Sequence, residues 1–230
     1  MLKKKKEFAK AKLKHQDDLI TTYENTLSWY QTNKKLLSNI GIALVVVIAG
    51  GWFYLNNQRQ NNEKAALEFA KVFTYYDNGQ YQLAINGIPE RNVRGLSAIV
   101  SDYGSTHNGN IARFYLANSY YNLGEYDKAL AEFSDTDAPF DLLEASRLAG
   151  IGACHEVKGN FNEAAKYFER AGRVSSEDPN TAENLAHAAR NYARSGNKQQ
   201  AIELYKYIKK EHSSSAAARE AERYIDELRS

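Results

Sequence analysis

Hydrophobic residues are arranged along this chain in two ways. From Ile40 to Leu55 they form one unbroken run, "IGIALVVVIAGGWFYL", with no charge and no amide side chain. Carried back to Leu36, across Ser38 and Asn39, the run reaches 20 residues. A helix of that length rises about 30 Å, the thickness of a bilayer's hydrocarbon. Elsewhere apolar positions recur at helical spacing. Leu19, Ile20, Tyr23, Leu27 and Tyr30 lie three to four residues apart and put one apolar stripe on a helix before the run. Beyond it, the same period runs through short segments punctuated by single glycines.

Those glycines organise a repeat. Gly124 is followed by Tyr126, Ala129 and Phe133, and preceded by Tyr120 and Ala117. In the same register Gly159 has Phe161, Ala164 and Phe168 after it, with His155 and Gly152 before. Gly196 has Lys198, Ala201 and Tyr205 after it, with Tyr192 and Ala189 before. A fainter copy surrounds Gly79, with Tyr81, Ala84, Ile88, Tyr75 and Val72. The four glycines are 45, 35 and 37 residues apart.

Each position has a physical reason. The glycine ends a helix in a left-handed turn that a side chain would penalise. The small residues let two antiparallel helices approach closely, and the aromatics fill the space between hairpins. Asp178-Pro179 reads as a capping carboxylate before a proline at the first helical position. A period near 34 residues built this way predicts a helical solenoid, because one hairpin alone cannot bury its apolar face. The pattern resembles the tetratricopeptide repeat. The 109–133 copy, "GNIARFYLANSYYNLGEYDKALAEF", matches best, and 145–172 matches well. The copy near 182–212 has Lys198 where an aromatic is usual, and the copy near 63–88 is degenerate.

The fold class expected is therefore all-α: a single N-terminal transmembrane helix followed by a tetratricopeptide-repeat α-solenoid. The expected divisions are a basic cytoplasmic amphipathic segment (1–35), the transmembrane helix (36–55), a linker (56–62), the repeats (63–212, with an inserted turn and helix at 89–108) and a C-terminal capping helix (213–230).

Charge supplies an orientation. Residues 1–35 hold nine lysines against four acidic residues, and the remainder holds 21 basic against 24 acidic. Lys34 and Lys35 abut the apolar run, whereas only Arg59, Lys64 and Lys71 follow within about 20 residues. The positive-inside rule then puts the N-terminus in the cytoplasm and the body outside it, in the periplasm of a Gram-negative cell. Trp52, Phe53 and Tyr54 at one end, with Trp29 and Tyr30 beyond the other, suit the interface zones. The 35 residues before the run are too many for a cleaved signal peptide. The head, "KKKKEFAKAKLK", reads either as a basic helix on anionic lipid or as a solvated lysine run that sets topology. A mildly acidic body leaves no electrostatic footprint for nucleic acid.

Catalytic chemistry is hard to find. The five histidines are scattered without zinc spacing, and no phosphate-binding glycine loop follows a strand. Cys154, the single cysteine, and His155 are the one pair to weigh as nucleophile and base. Adjacent helical positions point about 100° apart, and His155 occupies the aromatic repeat position, so both read as structural. No enzyme, cofactor or metal is expected.

A binding surface is the better candidate. In such arrays the first helix of each pair lines the concave face. The register puts Phe114, Asn118, Tyr121 and Asn122 there in one copy, Glu156 in the next, and Arg190 with Arg194 in the third. Aromatic and amide groups suit extended or partly unfolded polypeptide; Phe114 and Tyr121 equally suit packing against the neighbouring repeat. Co-chaperones of this repeat class that grip a C-terminal carboxylate use basic residues with asparagine. Phe114 stands where such a basic residue is expected, which argues against that clamp.

The order of parts, "ENTLSWYQTNKKLLSNIGIALVVVIAGGWFYLNNQ" followed by a degenerate and then better repeats, resembles the YfgM family of bacterial inner-membrane proteins. That resemblance implies a non-catalytic periplasmic accessory of the SecYEG translocon. Its expected partners are translocon subunits, a periplasmic chaperone such as PpiD and emerging unfolded polypeptide, with lipid contacted through 36–55. Two other readings meet obstacles. An outer-membrane or envelope assembly factor of this repeat class usually follows a lipobox cysteine, and no cysteine follows the apolar run. A mitochondrial import receptor needs the opposite orientation.

Overall fold

Among the described residues five glycines take up a positive φ, and four of them close helical hairpins. In the computed structural model Gly79, Gly124, Gly159 and Gly196 have φ of 71°, 78°, 78° and 89°. Side chains with a Cβ are strained there, so the sequence marks its own turns. The structure describes residues 2–175 and 178–229, with side chains from residue 20 onward. The lysine-rich head therefore lies outside the described side chains.

The chain divides into two units, residues 1–57 and 58–230. Ten α-helices are present among the described residues. In the first unit, α1 (Leu2–Asp77) carries the apolar run. Within Ile20–Asp77 an 18-residue window has a mean hydropathy of 2.1 with none of it buried. Ile48, Trp52, Phe53 and Leu55 are each more than two-thirds exposed. This is one helix long and apolar enough to cross a membrane. On the helix before it, Ile20, Tyr23, Leu27 and Tyr30 are also exposed.

Residues 56–62, expected as a linker, are helical. The stretch is polar, but it holds neither glycine nor proline, and asparagine and glutamine alone do not stop a helix. Asn62 is moreover bonded to the start of a later helix: Asn108 N–H donates to its Oδ1 at 2.7 Å, and Asn108 Nδ2 donates to its carbonyl at 3.1 Å.

In the second unit the end of α1 pairs with α2 (Tyr81–Asn86) across Gly79. The insertion follows. β1 (Gly87–Ile88) and β2 (Val93–Arg94) form a two-residue antiparallel ladder around a 3-10 turn at Pro89–Arg91, then α3 runs over Leu96–Tyr103. Three regular hairpins come next: α4 (His107–Asn122) with α5 (Tyr126–Asp135), α6 (Asp141–Val157) with α7 (Phe161–Ala171), and α8 (Thr181–Arg194) with α9 (Lys198–Glu211). The last helix, α10 (Ala216–Arg229), packs on α9 and α8. Ser215 Oγ caps it by accepting from Ala218 N–H at 3.0 Å.

Burial follows the repeat. Ala129, Ala164 and Ala201 are fully buried, and Phe133, Phe168 and Tyr205 fill the interfaces at 4 % exposure or less. A buried polar knot closes the insertion: Asn110 donates to the carbonyls of Gly104 and Thr106 and accepts from Asp137 N–H at 2.9 Å. Asp178-Pro179 does not cap α8 directly. The helix starts two residues later, and Asp178 Oδ1 instead accepts from Asn180 N–H at 2.8 Å, tightening the preceding turn.

Candidate functional site: a groove across three hairpins

The first helices of the three regular hairpins, α4, α6 and α8, line one open groove of about 420 Å³. One wall is Phe114, Asn118 and Tyr121 on α4; the other is Asn180, Glu183, Asn184 and His187 at the start of α8. Ala149, Gly150 and Ala153 on α6 form the floor, with the rings of Phe133 and Phe168 beneath. Small residues on the middle helix are what make the surface concave. At Gly150 the approach is closest: a Cβ there would stand 2.5 Å from the Phe133 ring.

The aromatic wall is fixed by its own contacts. Phe114 meets Phe133 edge-on at 5.7 Å between centroids and Tyr115 at 5.5 Å. Tyr121 meets Tyr126 at 5.3 Å. Both residues thus pack and line the groove. Asn118 Nδ2 donates to the Phe114 carbonyl at 3.0 Å, and Asn122 Nδ2 to the Asn118 carbonyl at 2.8 Å. Asn122 is exposed on α4 and lies outside the lining.

On the opposite wall, His187 stacks on Phe168 at 4.8 Å. Its Nδ1 lies 4.0 Å from Glu156 and its Nε2 3.7 Å from Glu183. Burial holds its imidazole below the usual histidine range. Arg190 and Arg194, expected in the groove, lie outside its lining. Arg194 lies over the Phe161 ring at 3.9 Å and donates to Glu156 at 2.9 Å. Arg190 reaches Glu183 at 3.4 Å from the cleft between α8 and α10, beside Ala186 and Tyr224. For Arg190 the reason is α10, which packs on the side of α8 where another hairpin would otherwise continue the groove, whereas Arg194 is held toward α6 and α7 by Glu156 and Phe161. The open face of α8 is therefore its first two turns. That signal was available: 180, 183, 184 and 187 are spaced as one helical face.

Cys154 and His155 show no shared chemistry. Cys154 is fully buried, and burial pushes its thiol up to about 11, away from the thiolate a nucleophile needs. His155 stacks on Tyr167 at 5.4 Å. Among the described residues no group of three or more His, Cys, Asp or Glu could hold a metal ion.

A family model described as a tetratricopeptide repeat-like domain matches residues 27–171, from before the apolar run to the end of α7. No curated protein matches the chain. Among solved structures, a putative kinesin light chain with nearly identical TPR-like repeats from Podosopora anserina aligns at 19% identity and a TM-score of 0.50. The alignment covers 75% of this chain and 85% of that one. A singly substituted form of it aligns at 20% identity and 0.49, over 75% and 84%. At such identity the likeness shows the fold alone.

Proposed function

Since the chain belongs to the tetratricopeptide repeat-like domain family, whose fold is a protein-interaction scaffold, we propose that it is a non-catalytic adaptor anchored in the bacterial inner membrane. Residues 36–55 are the span, the lysine-rich head is cytoplasmic, and the repeats (63–212) with the helix that follows them face the periplasm. The adaptor serves the Sec translocon and passes emerging, unfolded polypeptide to periplasmic chaperones.

The observation that carries this reading is the groove. Three first helices from successive hairpins converge on one trough with aromatic and amide walls and a floor of small residues. Extended polypeptide needs such a surface: a concave path along which several side chains are desolvated at once. Phe114, Asn118, Tyr121 and Glu156 are the proposed contact residues, joined by Asn184 and His187. The unburied apolar run and the lysine bias support the topology.

Two experiments test it in native membranes. Protease added to spheroplasts digests the chain beyond about residue 60 and spares the head under this topology; protection of the repeats would refute it. A photo-crosslinking side chain at position 114 captures translocon subunits, a prolyl isomerase-like chaperone or exported chains, whereas one at Gln199 on α9 does not. Equal capture from both positions removes the groove from the mechanism.

A further inference from the structure

The groove has a charge sign. Its charged side chains are Glu156, Asp178 and Glu183, and no lysine or arginine stands among the described residues that line it. His187, between two of these carboxylates, is neutral near pH 7: burial holds it down, Arg190 reinforces that, and Glu156 and Glu183 oppose it. The two guanidiniums that touch the carboxylates do so from outside. Arg194 occupies Glu156 Oε1, and Arg190 approaches Glu183 Oε1. A carboxylate offers roughly four acceptor sites, so each keeps capacity for another donor. Beside them lie the aromatic and small apolar surfaces of Phe114, Phe168, Ala149 and Ala153.

We propose that this groove selects extended segments of a partner polypeptide in which a lysine or arginine stands next to apolar side chains. The cation is received by Glu156 and Glu183, and the apolar neighbours lie on the Phe114 and Ala149–Ala153 surface. The inference rests on the reading of the groove as the polypeptide-binding face and adds the class of segment it takes. Charge complementarity carries it. A cationic side chain gains hydrogen bonds to ionised acceptors at a partly dry surface, where such bonds are stronger than neutral ones. An acidic segment or a free C-terminal carboxylate finds no lysine or arginine in the lining and meets Asp178 together with Glu156 and Glu183, whose charge Arg194 and Arg190 offset only from outside the groove. The groove's size suits a few residues of extended chain. The occupant is a partner chain; the protein's own lysine-rich head lies across the membrane in the proposed topology.

The test uses the full chain in lipid nanodiscs and fluorescein-labelled, unstructured twelve-residue peptides. One carries lysines beside leucine and phenylalanine; in two others the lysines are replaced by glutamine or by glutamate. The lysine peptide binds about tenfold tighter than the glutamine peptide, and the glutamate peptide binds weakest. Glu156→Gln with Glu183→Gln brings the lysine and glutamine peptides level. Glu183→Gln alone, at a side chain 54% exposed and so harmless to folding, removes part of the difference. Peptides that bind regardless of charge, or a lysine preference that survives the double substitution, overturn this inference and leave the adaptor reading standing. If no peptide binds, both fall. If replacing Lys3, Lys4, Lys5 and Lys6 by glutamine tightens binding of the lysine peptide, the head is the occupant and the assignment to a partner is wrong.

Discussion

Asn62 and Asn108, 46 residues apart in sequence, are joined by two hydrogen bonds that each involve one side chain and one backbone group. Asn62 Oδ1 takes the amide of Asn108, which lies in the first turn of α4 and has no partner within its own helix. The polar stretch after the apolar run is thereby part of the repeat unit's framework.

Replacing Asn62 by alanine is expected to cost about 1–2 kcal/mol in urea unfolding, because a partly buried donor loses its acceptor. Hydrogen exchange at the Asn108 amide should quicken. Asn108→Ala should cost less and leave that amide protected. Equal exchange in both variants would show that the pair does not hold the helix start.

The hairpin turns make a paired prediction. At Gly124 a Cβ meets nothing within 4 Å, so only the left-handed backbone opposes a side chain. Gly124→Ala should destabilise by about 1–2 kcal/mol, and Gly124→Asn by less, since asparagine tolerates that conformation. Equal costs for the two would mean that contacts, not backbone, decide the turn.

Much of this architecture was legible because glycines mark turns through local backbone energetics, whatever the tertiary surroundings. Phe114, Asn118, Tyr121 and Glu156 were placed in the groove by counting back from Gly124 and Gly159, with a further helix packed beyond each. The same count from Gly196 points to Arg190 and Arg194, which lie outside the groove's lining: Arg190 in the cleft with α10, and Arg194 on Glu156 and Phe161. In that cleft α10 covers Ala186 and Tyr205, which are 2 % and 1 % exposed. Residues 56–62 read as a linker from their polarity, and the structure makes that stretch helical because it holds no helix breaker. The ladder Gly87–Ile88 with Val93–Arg94 is too short to leave any period in the sequence.

At the groove floor, Gly150→Ala should cost about 1–3 kcal/mol, since the Phe133 ring cannot shift without disturbing Phe114. Phe133→Leu should be less damaging in the Gly150→Ala background than alone. Thermal unfolding of the four proteins in a double-mutant cycle measures that coupling. Strict additivity would show that the ring and the glycine do not constrain each other.

Stability should fall with acid over the histidine range. His155 and His187 both titrate below 6.5 when folded, because each is partly buried. His187 faces Glu156, Glu183 and Arg190, and His155 faces Glu163, Lys158 and Tyr167. As pH drops through 6.5 the unfolded chain takes up protons that the folded chain refuses, so stability present above that value is lost and levels off below the folded pKa values. The urea midpoint should decline between about pH 7.5 and 5.5, and His155→Gln with His187→Gln should flatten the decline. A slope unchanged by the double substitution would place the titrating groups elsewhere.

The bare α-carbon at residue 150 has a consequence for how such an array grows. Counted from the turn glycines, its counterparts in the flanking hairpins are Tyr115 and His187, whose own rings meet rings of the preceding hairpin, Tyr76 and Phe168, each at 4.8 Å, whereas residue 150 offers Phe133 only bare backbone. The units are therefore not interchangeable parts. A copy of either neighbour spliced into the central slot would set a side chain where the Phe133 ring now lies against bare backbone.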